Sequence, residues 1–270
     1  MASDSVRVVP PRSRLYGWRP EKHWFECLDY PFRAWQLVVV LATGLALIAG
    51  VGAFLFPRLL EARAESPHFL FLLAPYWLVP AFVLSYACGF FDATLTTAVA
   101  GKCGPLYWVD LSRGWALRST AKWLFCFLPG PSLFAGAAFF YWLYCGDPDW
   151  IDVLILGELS LGAIGLWVLT LLSVTRSGRL VDAIPTRVAA LAQRLGGRAL
   201  AAAALGWAIV VGHGLVGVLA LGTLHRTLGA WLLLAACCGS ATFCATFLAR
   251  LLGAWCRRLP AIPAGIPQSA

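Results

Sequence analysis

Six stretches of the chain, 34–56, 69–91, 123–145, 151–175, 200–221 and 228–248, are each long and apolar enough to cross a lipid bilayer. A transmembrane helix needs about 20 mainly apolar residues in a row to span a hydrocarbon core of roughly 30 Å. Inside that core every backbone N–H and C=O must be bonded within the segment, so runs of this kind fold as helices. Composition agrees, with 60% hydrophobic and 13% charged residues against about 45–50% and about 25% in soluble domains. One water-soluble core could not hide so much apolar surface. A soluble enzyme, a disordered chain and a disulfide-built secreted scaffold are therefore excluded. The expected fold is an all-α polytopic transmembrane bundle of about six spans with a short cytoplasmic interfacial helix. Residues 1–33 read as a basic cytoplasmic tail, 34–254 as the spanning domain and 255–270 as a cytoplasmic C-terminal tail.

Orientation follows from where the basic residues fall. The N-terminal tail carries Arg7, Arg12, Arg14, Arg19, Lys22 and Arg33, and the second loop Lys102, Arg113, Arg118 and Lys122. Arg176, Arg179, Arg187, Arg194 and Arg198 follow the fourth run, and Arg250, Arg257 and Arg258 follow the sixth. The other side keeps only Arg58, Arg63 and Arg226 of the 21 basic residues. Basic residues stay on the cytoplasmic side of short loops, so both termini are expected there. Trp35, Trp77, Trp123, Trp142, Trp150 and Trp231 stand at run ends, where amphipathic rings suit the membrane–water boundary. The net charge of +8 is thus a topology signal. No nucleic-acid-binding module accompanies it, and nucleic acid is not an expected partner. The first run is 23 residues long, too long for the apolar core of a secretory signal, and no cleavage is expected.

Nine cysteines cannot close a disulfide framework, and those inside apolar runs behave as small hydrophobes. Neither a CxxC pair nor a Cys/His cluster is present, so neither a metal nor a cofactor is expected. No extramembrane segment approaches the ~50 residues of a small domain. Any chemistry must lie in or against the bilayer.

One loop has a clear pattern. Ile184, Val188, Leu191 and Leu195 recur at helical spacing, with Pro185 suited to the first turn and Gly196–Gly197 to the stop. A helix over about 179–197 would carry Arg187, Arg194 and Arg198 on one flank. It could lie in the interface with these arginines on lipid phosphates, pack on the inner face of the bundle, or dock a partner.

Two kinds of interruption mark the spans. Pro129-Gly130-Pro131 sits inside the third run and kinks or breaks it, because proline removes backbone donors. Broken helices of this type line transporter sites. Glu158 and His213 are ionisable residues within spans, and Asp92 is a third if the second helix starts late, near Tyr76. Glu158 shares one helical face with Gly162 and Gly165, and His213 shares one with Gly206 and Gly217. Small residues let helix backbones approach. Glu158 and His213 either form a structural bond between helices or handle a proton or ligand. Asp147, Asp149 and Asp152 on a short outer loop lack the spacing of a calcium loop and read as a solvated turn capping the fourth run.

Known intramembrane enzymes do not fit. Gly157-Glu158-Leu159-Ser160-Leu161-Gly162 is not the Gly-x-Ser-Gly nucleophile turn of rhomboid proteases, and no HExxH is present. The basic tail enters the first span through Tyr30-Pro31-Phe32-Arg33-Ala34-Trp35. With its hydropathy layout, the whole chain resembles the small six-span integral membrane proteins of bacteria. That resemblance implies a cytoplasmic-membrane location and carries over no catalytic residue or substrate. The expected role is a non-enzymatic scaffold or accessory subunit that meets anionic lipid or a membrane protein partner. The rival is a small transport component using Glu158 and His213.

Overall fold

The structure, a computed structural model, describes residues 23–62, 69–101, 113–146, 149–223 and 228–259. The tail residues Arg7, Arg12, Arg14, Arg19 and Lys22, and the loop residues Arg63, Lys102, Asp147 and Arg226, lie outside the described residues. Among the described residues all regular structure is helical. The order is α1 (His23–Arg33), α2 (Trp35–Ala62), α3 (Phe69–Val99), α4 (Arg113–Phe127), α5 (Pro131–Tyr144), α6 (Trp150–Ser177), a 3₁₀ turn at Leu180–Ala183, α7 (Pro185–Leu195), α8 (Gly197–Thr223) and α9 (Leu228–Arg257). Five helices are long and apolar enough to cross a membrane, and the α4–α5 pair makes a sixth when taken as one span.

Helix α9 is the centre of the bundle, with α1, α2, α3 and α8 packed on it. Gly253 of α9 lets α3 come so close that an added Cβ would lie 2.3 Å from the Ala98 Cβ and 2.9 Å from the Val99 nitrogen. Arg176 of α6 reaches the Leu259 carbonyl at 3.4 Å. The C-terminal ends of α3, α6 and α9 therefore share one end of the bundle, and Arg176, Arg179, Arg257 and Arg258 make it the basic end.

The second run becomes one continuous helix of 31 residues. At 1.5 Å per residue it is about 46 Å long, so it extends beyond a hydrocarbon core of about 30 Å. Pro80–Val99 within it is long and apolar enough to cross a membrane, and Asp92 lies in that stretch. The last 11 residues of the expected tail form α1. Tyr30 is 1% exposed and Phe32 meets Phe243 of α9 edge-on, so this segment belongs to the bundle.

The Pro-Gly-Pro segment breaks its span, bending α4 and α5 by 66°. Proline at 129 and 131 cannot donate to Phe125 and Phe127. The Leu128 N–H instead donates to the Phe125 carbonyl at 3.3 Å, and the Ser132 hydroxyl donates to the Leu128 carbonyl at 2.5 Å. Pro131 then opens α5, where its missing donor costs nothing. The pair nevertheless advances along α6 without turning back. Lys122 bonds Thr175, Phe127 packs on Trp167, Phe134 fills the notch at Gly162, and Tyr141 bonds Asp152. From Thr175 to Asp152 is about 35 Å of helix. A re-entrant hairpin would return to the end it left, so the contacts make this pair a broken span.

Local rules set the ends of α6 and α7. Asp149 accepts from the Ile151 and Asp152 N–H groups at 2.8 and 2.9 Å, and Asp152 accepts from the Asp149 N–H at 2.9 Å, a reciprocal capping box. Gly178 closes α6 at φ +70°, a left-handed cap that favours glycine. Pro185 opens α7, and Gly196 follows it at φ +57°.

Candidate functional site

The polar interior is concentrated toward the basic end. Gly89 of α3 and Ala116 of α4 meet with an added Cβ only 3.3 Å from the Ala116 Cα. Three residues further along each helix, Asp92 accepts from the Ser119 hydroxyl at 3.1 Å. One more turn of α4 brings Lys122, whose ammonium donates to the other Asp92 oxygen and to the Thr175 hydroxyl of α6 at 2.7 Å. Asp92 is 6% exposed. A buried charge of this kind is tolerated only when paired and hydrogen-bonded, and here both carboxylate oxygens have donors. Arg250 of α9 lies with its guanidinium 3.7 Å above the Tyr30 ring and donates to the Thr97 hydroxyl at 3.4 Å.

Asp92 is thus the expected intramembrane carboxylate with a found partner. By position along the chain, Lys122 counts with the second loop and Arg250 with the basic residues that follow the sixth run. The structure places both within helices and makes them interior cations. For Lys122 the available signal was its setting, four residues beyond Arg118 and within reach of a continuing apolar stretch. Its partner thirty residues away carries no mark in the sequence.

Glu158 and His213 have separate surroundings. His213 bonds the Ile209 carbonyl at 2.7 Å and the Ser240 hydroxyl at 3.0 Å, tying α8 to α9. Glu158 is exposed on α6, and among the described residues no hydrogen bond or ion pair reaches it, from His213 or any other group. The polar contact between α6 and α8 is a different one, the Trp207 indole N–H donating to the Ser160 hydroxyl at 2.7 Å. Glycine spacing was the better guide. Gly162 faces Phe134, Gly165 faces Ala203 and Gly206 faces Val168, whereas Gly217 has nothing within 4 Å.

Helix α7 turns its apolar face inward. Val188, Leu191 and Leu195 are buried, and Leu191 and Leu195 join the cluster built around Leu172, Leu248 and Leu252. The face that could have entered lipid is packed on the bundle instead. Arg187 and Arg194 of α7 remain exposed, as does Arg198, which falls beyond the glycine break in the first turn of α8 and so is not on the flank of α7. The first two line a cleft of about 50 Å³ with Ser173, Arg176, Asp182 and Leu191. Asp182 stands 4.0 Å from the Arg187 Nε, and Ser173 donates to the Asp182 carbonyl at 2.9 Å. Arg198 lies outside the cleft lining. Arg176 and Asp182, which complete the cleft from α6 and the 3₁₀ turn, were invisible to a reading of α7 alone. Three guanidinium groups against one carboxylate suit an anionic ligand. No protein family, curated protein or solved structure matches the chain.

Proposed function

We propose that the protein is a non-enzymatic component of a bacterial cytoplasmic membrane, a scaffold or accessory subunit, with both termini and the basic end in the cytoplasm. The observation that carries this reading is α7, held on the bundle by Val188, Leu191 and Leu195 while Arg187, Arg194 and Arg198 stay exposed. A helix fixed by its apolar face presents Arg187 and Arg194, with Arg198 at the start of α8 beside them in the chain, in a set geometry to anionic lipid headgroups or to an acidic partner. Each basic residue near an anionic surface contributes about 1 kcal/mol, and salt screens it.

The experiment is binding of the purified protein, in detergent, to phosphatidylcholine vesicles with and without phosphatidylglycerol. Arg187→Gln, Arg194→Gln and Arg198→Gln together should remove most of the preference for the anionic vesicles while the chain still inserts. An unchanged preference would remove this role from α7. A small transport component is the second reading. The break at Leu128–Gly130, about two turns beyond Lys122 of the Asp92–Lys122 pair, favours it over the Glu158/His213 arrangement. Solute flux into liposomes that is lost in the double variant Asp92→Leu with Lys122→Met, in which the fold is retained, would support transport; no flux with intact lipid binding would support the first reading.

A further inference from the structure

Between Asp152 and Arg176, Glu158 is the only charged residue of α6. It lies about 12 Å along the helix from Trp150 and about 28 Å from Ser177, well inside the span. Its stripe is otherwise apolar and exposed: Trp150 is 71%, Leu154 56% and Leu161 39% exposed. One turn further on, α5 covers Gly162 through Phe134, and two turns on, α8 covers Gly165 through Ala203. The groove between α5 and α8 is therefore filled below Glu158 and open beside it. Gly157, next to the carboxylate, has nothing within 4 Å of the position its Cβ would take.

Carboxylates at such depth face other protein groups or a water-filled cavity and pair with a cation or hydrogen-bond donor. We infer that the open groove at Glu158 docks a transmembrane helix of a different protein that carries a lysine or arginine at the same depth. The charge defines that occupant, and Gly157 leaves room for close backbone approach, as small residues do in membrane interfaces. A second copy of this chain fits poorly. Two copies related by an axis along the membrane normal keep every residue at its own depth, so Glu158 could meet only groups that lie at its own level. The cations described within the spans, such as Lys122 and Arg176, lie near Thr175, about 26 Å further along α6. His213 is already bonded to Ile209 and Ser240.

The docking groove is independent of the basic end. Its test uses the full chain in phosphatidylcholine bilayers with two synthetic leucine–alanine transmembrane peptides. One carries a single lysine about 12 Å from its end, and the other has leucine there. Energy transfer should show the lysine peptide associating roughly three- to ten-fold more tightly, the range of polar contacts between membrane helices. Glu158→Gln should abolish the difference, and Gly157→Leu, which keeps the carboxylate and fills the notch, should weaken it. Glu158→Gln breaks no contact of the fold, so its melting should match the wild type. Replacing Arg187, Arg194 and Arg198 by Gln should leave peptide association unchanged, which separates this surface from the lipid-binding one. Equal association of both peptides, an unchanged preference in Glu158→Gln, or self-association of the chain that depends on Glu158 would each overturn the proposal.

Discussion

Lys122 on α4 donates to the Asp92 carboxylate on α3, and the same ammonium reaches Thr175 on α6. One side chain thus ties three helices together just before the span breaks at Leu128–Gly130. With α4 held at this point, the 66° bend has a fixed lower arm.

The first prediction follows from burial. Removing one partner of a buried pair leaves an uncompensated charge and costs roughly 3–5 kcal/mol, while replacing both with apolar groups is often near neutral. Asp92→Asn or Lys122→Met alone should destabilise strongly, and Asp92→Leu with Lys122→Met should recover most of the loss. Unfolding in mixed detergent micelles measures all the terms. Additive losses in the double variant would mean that the two groups do not act as a pair.

Much of this fold is legible from the chain alone, for physical reasons. Run length and polarity set the helices because lipid enforces internal hydrogen bonding. Caps such as Asp149–Asp152 and Gly178 are local, and the period of Val188, Leu191 and Leu195 identifies the buried face of α7. Partner identity is not local. Asp92 could be flagged as an ionisable residue in a span, but its pairing with Lys122 depends on the close crossing at Gly89 and Ala116. Likewise, counting Lys122 with the second loop and Arg250 with the residues after the sixth run follows from hydropathy, which sees where a run becomes polar and not where a helix begins or ends.

Gly253 provides a packing prediction. An added Cβ would meet the Ala98 Cβ and the backbone of Ala98 and Val99, the last at 2.9 Å, and backbone cannot give way as a flexible side chain does. Gly253→Ala should therefore push α3 from α9 and destabilise by about 1–3 kcal/mol, the usual cost of overpacking. Gly239→Ala on the same helix, with nothing within 4 Å, serves as the control and should be neutral or slightly stabilising. Equal melting of the two variants would contradict the close α3–α9 contact.

Orientation gives the third prediction. Reporter fusions should place Asp149 on the outer side and the α7 arginines on the inner side, as the charge distribution requires. A fusion after Arg198 that is active only outside would reverse the proposed topology and move the exposed face of α7, proposed to bind anionic lipid, to the other leaflet.

The last prediction concerns Glu158 and His213, whose surroundings diverge although both interrupt apolar helices at similar depth. His213 is bonded on both ring nitrogens, so His213→Ala should cost stability by freeing Ser240 from its contact with α8. Glu158 has no such contact, and an exposed carboxylate in a span is unfavourable by roughly 2.5–3.5 kcal/mol on insertion scales. Glu158→Gln should then leave the isolated protein as stable as before or more so. The two substitutions should add within about 0.3–0.5 kcal/mol, the behaviour of independent sites. Ser160→Ala with Trp207→Phe should instead show coupling of about 0.6 kcal/mol, typical of a hydrogen bond between membrane helices, because that bond joins α6 to α8. Coupling at Glu158 and His213 with none at Ser160 and Trp207 would invert the arrangement described here and restore the buried carboxylate–imidazole site that a transporter needs.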